Sequence, residues 1–300
     1  SQINKVLFAV TANVPAAMAF GVKEENIFPF WDWVGGRYSV WSAVGLPIAL
    51  QYGFKTFEDF LAGAHAMDLH FKNAPLDQNL PVIMALALLH QQEKNHITAY
   101  AAIPYADALD WFPKWLQQLD MESNGKSVGR NGKKVRHSSP VVFGSAGSNA
   151  QHSYFQLFHQ GPQIIPIDFI AVRKPMSDRP EAVAHHRILL SNCLAQAQAL
   201  AHGKKADNPN DVYPGKRPSS LLLLPELNAF YLGALLALYE NRTATLGALW
   251  DINSFDQPGV EYGKVLAKPI EKALASGEEI TKPVDGIDAI TASRINYLNS

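Results

Sequence analysis

The sequence predicts an α/β protein, a three-layer α/β/α sandwich doubly wound around a parallel sheet. Short apolar, β-branched or aromatic runs at residues 98–104, 141–143, 164–172 and 220–224 alternate with long helical patterns. Such alternation calls for crossover helices, and hence for parallel strands. Several of these runs are apolar at most positions rather than at every second one, the mark of a sheet covered on both faces. In open sheets of this kind ligands bind beyond the carboxyl ends of the strands, so the loops there are the first places to search.

Composition narrows the class of partner. The chain has 300 residues, 47% of them hydrophobic and 18% charged, with a net charge of -1. That balance gives no reason to expect nucleic acid or an anionic membrane as partner. The apolar stretches at 81–89 and 230–239 are too short to span a bilayer and read as core helices. No basic segment followed by an apolar one opens the chain, so a signal peptide is not expected. A single cysteine, Cys193, lies in an apolar helical run. It excludes a disulfide framework and fits a reducing, cytoplasmic compartment, and it reads as a small buried hydrophobe.

Taken in order, residues 5–10 form a strand pattern almost at the first residue, and 14–21 a short helix. Residues 27–36, rich in Pro, aromatic residues and Gly, lead to helical patterns at 40–51, 57–73 and 79–94. The strand at 98–104 precedes a helix over 106–118, and the polar, basic stretch 123–140 reads as a loop or irregular hairpin. A strand at 141–143 runs into a Gly/Ser loop and a helix over 150–158. After the strand at 164–172 comes a long Ala/Leu helix over 182–203, with Gly203 at the position where helices end in a left-handed residue. A Pro-rich loop at 206–218, a strand at 220–224 and a helix over 225–240 follow. Residues 245–250 fit strand or helix, 257–274 reads as a helix, and 289–298 as one more.

Four stretches carry chemistry. Gln118-Leu119-Asp120-Met121-Glu122-Ser123-Asn124-Gly125-Lys126 sets Glu122 between a rigid helix and an Asn-Gly turn. It is either a solvated helix-end acid or a positioned general base. Asp32-Trp33-Val34-Gly35-Gly36-Arg37 pairs a backbone that a ligand can approach closely with a planar cation suited to an oxyanion. A Gly turn with a structural Arg–carboxylate pair is the plain alternative. Gly144-Ser145-Ala146-Gly147-Ser148-Asn149 precedes a helix and is either a phosphate cradle or a turn capped by Ser148. His152, just inside that helix, is either structural or an acid–base group. In Gln257-Pro258-Gly259-Val260-Glu261-Tyr262-Gly263-Lys264, Gln257 and Lys264 stand seven apart and would share a helix face, with Glu261 close enough to pair Lys264.

Other patterns fail. His65 and His70 are five apart, not the four of a zinc-binding helix. No Gly-x-Gly-x-x-Gly follows a strand, and no Gly-x-Ser-x-Gly elbow occurs.

Together these stretches resemble the glucose-6-phosphate isomerase (phosphoglucose isomerase) family nearly end to end. Asp32 through Gly45 is similar to one family signature and Gly247 through Lys264 to the other. Between them, in the family's order, lie Gly63-Ala64-His65-Ala66-Met67-Asp68-Leu69-His70-Phe71, Met121-Glu122-Ser123-Asn124-Gly125-Lys126 and Gln151-His152-Ser153. The resemblance implies sugar-isomerase (SIS-type) domains and an aldose–ketose isomerase acting on glucose 6-phosphate and fructose 6-phosphate through a cis-enediol. It implies Glu122 as the base between C1 and C2, Arg37 beside the enediolate, and His152 and Lys264 as ring-opening groups. Gln118 and Gln257 would contact substrate, with Gly36 beside them. It further implies no metal or organic cofactor, and a homodimer in which the histidine comes from the neighbouring subunit. This agrees with the chemistry of the residues: a metal-free isomerase needs one partly desolvated base and one fixed cation.

The resemblance departs at the front, where the family's Ser/Thr/Lys phosphate loop has no counterpart before Arg37. Residues 1–50 are expected to be the closing part of a first SIS domain, 51–276 a second one and 277–300 a helical tail. The chain alone is expected to be inactive, with residues 1–50 less ordered or packed against a neighbouring chain, so that Arg37 is out of place. The alternative function is a non-catalytic SIS module that binds sugar phosphates. Acceptance of mannose 6-phosphate stays open, since it turns on fine placement around C2.

Overall fold

The computed structural model describes residues 7–282 and 284–300, in two compact units, one running to Ser254 and the other Phe255–Ser300. The first opens with β1 (Ala9–Thr11), α1 (Val14–Phe20) and β2 (Ile27–Pro29), the two strands pairing in parallel with Ala9 opposite Ile27. Lys5 and Val6 of the expected first strand lie outside the described residues.

The expected helix at 40–51 divides. Gly36–Trp41 and Ala43–Gly45 are 3-10 turns, and only then does α2 (Leu46–Tyr52) begin. The Ser39 and Ser42 hydroxyls bond backbone carbonyls three residues back, at 2.7 Å each, and such local bonds compete with a regular helix. Next come α3 (Phe54–Asn73) and α4 (Leu80–Asn95). The latter starts where sequence chemistry says, with Asn79 accepting the Val82 N–H and Pro81 in the first turn.

The main sheet then forms from β3 (Ala99–Tyr105), β4 (Val141–Phe143), β5 (Ile167–Val172) and β6 (Ser219–Leu224), all parallel, in the spatial order β4-β3-β5-β6. Between them run α5 (Phe112–Gln117), α6 (Gly147–Gln151), α7 (Phe155–Gln160) and α8 (Pro180–His202), and α9 (Ala229–Leu249) follows β6. The chain lays β4 to one side of β3 and then crosses to β5 on the other, which is the doubly wound topology expected from the sequence. Alternate residues of the strands feed two cores. Tyr100, Ala102 and Ile170 meet α4 and α9 on one face, while Ala101, Ile103 and Phe169 meet α7 and α8 on the other. Cys193 lies fully in the second core, where burial pushes its thiol up to about 12.

Helices α3 and α9 cross backbone to backbone. A Cβ on Gly63 would stand 1.8 Å from the Phe230 carbonyl, and one on Gly233 would stand 1.9 Å from that of Phe60. Asn228 caps α9 by accepting the Tyr231 N–H at 2.9 Å, and the helix continues unbroken, so residues 245–250 are mostly helical. In the second unit, α10 (Glu261–Ser276) and α11 (Ala289–Asn299) are the helices. The expected helix start at 257 moves to Glu261, because Pro258–Val260 forms a 3-10 turn with Gln257 at its entrance.

Candidate active site

The stretch 118–122 is a π-helical turn that continues α5 beyond the helix expected to end at residue 118. One extra residue per turn re-aims the side chains, and such bulges recur at functional sites. Across this turn the Gln118 Nε2 donates to Glu122 Oε2 at 3.0 Å. The turn ends where the Gly125 N–H reaches the Met121 carbonyl at 2.9 Å; a Cβ on Gly125 would stand 2.3 Å from that oxygen.

Arg37 meets this turn from the 3-10 segment Gly36–Trp41. Arg37 is 2% exposed, and every edge of its guanidinium is aimed. Nε donates to Ser123 Oγ at 2.6 Å, Nη2 donates to the Ser254 carbonyl at 2.7 Å, and Nη1 lies 3.5 Å from Glu122 Oε2. The Tyr38 hydroxyl bonds Ser123 Oγ at 2.9 Å, and burial raises its phenol above the usual range. Gly36 stands against Gln118, 3.9 Å from the position of a would-be Cβ to Nε2. Gly36, Arg37, Gln118 and Glu122 therefore converge, with Arg37 in place beside Glu122 rather than displaced as the sequence suggested. The result is a buried, hydrogen-bonded cation beside a carboxylate that keeps 22% of its side chain open to solvent.

A deeper layer, which sequence reasoning missed, fixes the turn to the sheet. Asp120, 2% exposed, accepts from Arg242 and from the Thr243 hydroxyl. Arg242 also donates to the Tyr100 hydroxyl at 2.9 Å and lies 3.7 Å from Asp168. Tyr100 and Tyr239 both donate to Asp168. Burial holds both phenols well above their usual range. Burial works against the Arg242 charge, yet Asp120, the two tyrosines and Asp168 together raise its proton affinity above that of an ordinary arginine. Asn124 donates to the Thr243 carbonyl at 2.8 Å and accepts from Ser254 Oγ at 2.6 Å. Gly247 makes room for this, since a Cβ there would stand 1.9 Å from Ser254 Oγ. The available signal was Glu240 and Arg242, two charges in an otherwise apolar helix.

His152 sits elsewhere. It is exposed at the end of α6, on the loop that leaves the carboxyl end of β4. That loop packs on Tyr105, the last residue of β3: the Tyr105 ring fills the space where a Gly147 Cβ would stand, and Gln151 donates to the Tyr105 hydroxyl at 3.1 Å. The loop is capped at Ala146, whose N–H bonds Asp110 at 2.8 Å, so Ser148 is not its cap. Glu122 belongs to the opposite end, because its turn is anchored next to Tyr100 and Asp168, the second residues of β3 and β5. Only one of the two lies at the carboxyl edge where ligands were expected. In the second unit, Lys264 pairs Glu261 at 2.8 Å. Gln257 precedes the helix, so the two do not share its face as their spacing suggested.

Comparison with known proteins decides the family. The phosphoglucose isomerase family model matches residues 1–295. The chain belongs to the phosphoglucose isomerase family. Within that family it is 49% identical to a protein of Cupriavidus pinatubonensis named glucose-6-phosphate isomerase 1, over 91% of this chain and 52% of the relative. It is 48% identical to the glucose-6-phosphate isomerase of Albidiferax ferrireducens over 100% of this chain and 56% of that protein. The crystal structure of a glucose-6-phosphate isomerase from Chlamydia trachomatis superposes with a TM-score of 0.82 at 34% identity, covering 99% of this chain and 57% of the other. The chain thus spans about half the length of the phosphoglucose isomerase family members it matches. Among the described residues no helix is long and apolar enough to cross a membrane.

Proposed function

We propose that this chain carries the proton-transfer half of an aldose–ketose isomerase that interconverts glucose 6-phosphate and fructose 6-phosphate. The observation that carries the reading is the pair Arg37–Glu122, a buried cation 3.5 Å from an accessible carboxylate. Glu122 takes the proton from C2 of the open-chain aldose. The C2–H electron pair becomes the C1=C2 bond and the carbonyl electrons move to O1, giving a cis-enediolate. The O2 proton then passes to O1, the O2 electrons form C2=O, and the C1=C2 pair takes the proton back from Glu122 at C1, which yields the ketose. Arg37 sits beside Glu122 and is rigid, so it supplies fixed positive charge where the enediolate forms, without reorganising. Gln118 holds the carboxylate and, with Gly36, borders the sugar. His152 and Lys264 open the ring, and Gln257 faces the phosphate. No metal or organic cofactor is needed.

The active unit is a homodimer with a shared site. Supporting this, His152 and Glu122 sit at opposite ends of a sheet whose β3 strand, seven residues long, spans about 20 Å. Residues 1–50 act as the close of one SIS domain, 51–276 as the second and 277–300 as a helical tail, in a cytoplasmic protein. The non-catalytic alternative has no use for a base held against a buried guanidinium.

The test is Glu122→Gln, which keeps the shape and the bond to Gln118 but cannot carry the proton. Turnover should fall by at least about 10²–10⁴-fold with phosphosugar binding nearly intact. It is measured in this chain joined to the upstream half of a relative, and in the 300-residue chain with that half added in trans. Retention of more than about a tenth of the activity would remove Glu122 from the role of base. The chain alone is expected to stay inactive, and turnover at an ordinary enzymatic rate of about 1–10³ per second would overturn that part.

A further inference from the structure

Four consecutive residues of α9 reach both segments of the site. Glu240 accepts from the Trp41 indole N–H with both carboxylate oxygens, at 3.0 and 2.9 Å. Trp41 closes the 3-10 segment that begins with Gly36 and Arg37, and its ring stacks on Phe60 at 4.8 Å. Asn241 binds Asp68 of α3 at 2.8 Å, tying the same turn of α9 to its neighbour helix. Arg242 and Thr243 hold Asp120, at the middle of the π turn that carries Gln118 and Glu122. The Thr243 carbonyl holds Asn124 just beyond that turn.

Arg37 and Glu122 lie 85 residues apart in sequence and come from two different elements, a 3-10 segment and the π turn that ends α5. Each segment is short, and neither is a strand of the sheet. Their relative placement is set where both are bound by one rigid body.

We infer that the Glu240–Thr243 turn of α9 is the positioning element of the site, Glu240 acting through Trp41 on Arg37, and Arg242 with Thr243 acting through Asp120 on Glu122. These residues touch no substrate. Their effect is to hold the guanidinium at its distance from the base, a separation on which rate depends steeply, since a misplacement of about 1 Å can cost about 10²-fold. The inference rests on the reading of Arg37 and Glu122 as the reacting pair.

The experiment uses the full 300-residue chain with three variants. Glu240→Leu removes the acceptor, Trp41→Phe removes the donor while keeping a ring against Phe60, and Glu240→Gln keeps one acceptor oxygen. The first readout does not depend on activity. It is the hydrogen exchange of the Arg37 Nε–H, bonded to Ser123, followed in nitrogen-15 spectra of arginine side chains. Exchange should quicken by about tenfold or more in Glu240→Leu and Trp41→Phe, and by much less in Glu240→Gln. Leu200→Ala, in the core on the other face of the sheet, is the control for simple destabilisation and should leave Arg37 exchange unchanged. The second readout is isomerisation by the chain joined to a relative's upstream half. There Glu240→Leu should lower kcat by about tenfold or more with KM changed less than about twofold, and Glu240→Gln should recover most of it. Unchanged Arg37 exchange in both Glu240→Leu and Trp41→Phe, or an equal change in Leu200→Ala, would overturn the inference. An unsubstituted chain that never isomerises even when joined to a relative's upstream half would instead defeat the proposed function, and the exchange measurement would still decide the positioning role.

Discussion

Glu240 shows what a single residue contributes here. Burial pushes its carboxyl up to about 8, against the pull of the Trp41 hydrogen bond and with a smaller push from Asp68. Tyr38, on the Arg37 segment, is also within its electrostatic reach. The sign of the consequence follows from proton counting. In the unfolded chain this carboxyl ionises at its ordinary value of 4.5, whereas in the folded chain it stays protonated to about 8. Between those values the folded state binds more protons, so stability falls as pH rises through the window and levels off on either side. The slope due to Glu240 approaches about 1.4 kcal/mol per pH unit. Denaturant titrations of the parent and Glu240→Gln across that window should show the parent losing stability relative to the variant. Parallel curves would mean the carboxyl ionises alike in both states.

Helices α3 and α9 pack through a pair of glycines. Gly63 and Gly233 face each other's helix, and either Cβ would land within 2 Å of a backbone carbonyl on the other. No side chain can rotate to relieve such a clash, so the helices must separate. Overpacking of this kind typically costs about 1–3 kcal/mol. Gly233→Ala should therefore lower the thermal midpoint by several degrees, and an unchanged midpoint would show that the crossing is looser than described. Because α9 also holds Trp41 through Glu240 and the π turn through Arg242 and Thr243, its displacement reaches both halves of the site. The π turn is itself an element-scale decision. Helical propensity continues through Gln118 and Leu119, but the buried bonds of Asp120 to Arg242 and Thr243 fix where the extra residue goes.

The main sheet separates the two proposed acid–base groups, Glu122 and His152, to its two ends. Glu122 lies near the amino ends of β3 and β5, while His152 lies beyond the carboxyl end of β4. A site that needs both must draw them from two copies, as the proposed dimer does. Mixing His152→Ala with Glu122→Gln, each inactive and each joined to a relative's upstream half, should then restore activity. One site of each hybrid dimer receives an intact Glu122 from one subunit and an intact His152 from the other. Random exchange would return about a quarter of the parent sites. If the histidine acted within its own chain, every site of the hybrid would keep one defect and mixing would restore nothing.

The sequence by itself determined the fold class, because apolar runs covered on both faces and separated by helical patterns admit little besides a parallel sandwich. It placed the start of α4 to within a residue, where Asn79 accepts the Val82 N–H, but set the start of α9 at 225 rather than 229, and it made Arg37 and Glu122 stand out through their glycine-rich and Asn-Gly surroundings. Tertiary structure decided the rest. Spacing put Gln257 and Lys264 on one helix face, but Pro258 and Gly259 end that regularity. Nothing local marked Ser123, Ser254 and Asp120 as the groups that aim Arg37 and Glu122, because each acts on a residue brought near only by folding. Nor could any local pattern set Glu122 and His152 at opposite ends of the sheet. That follows from the direction in which α5 descends from β3 and α6 leaves β4, and direction is a property of the folded chain rather than of any stretch within it.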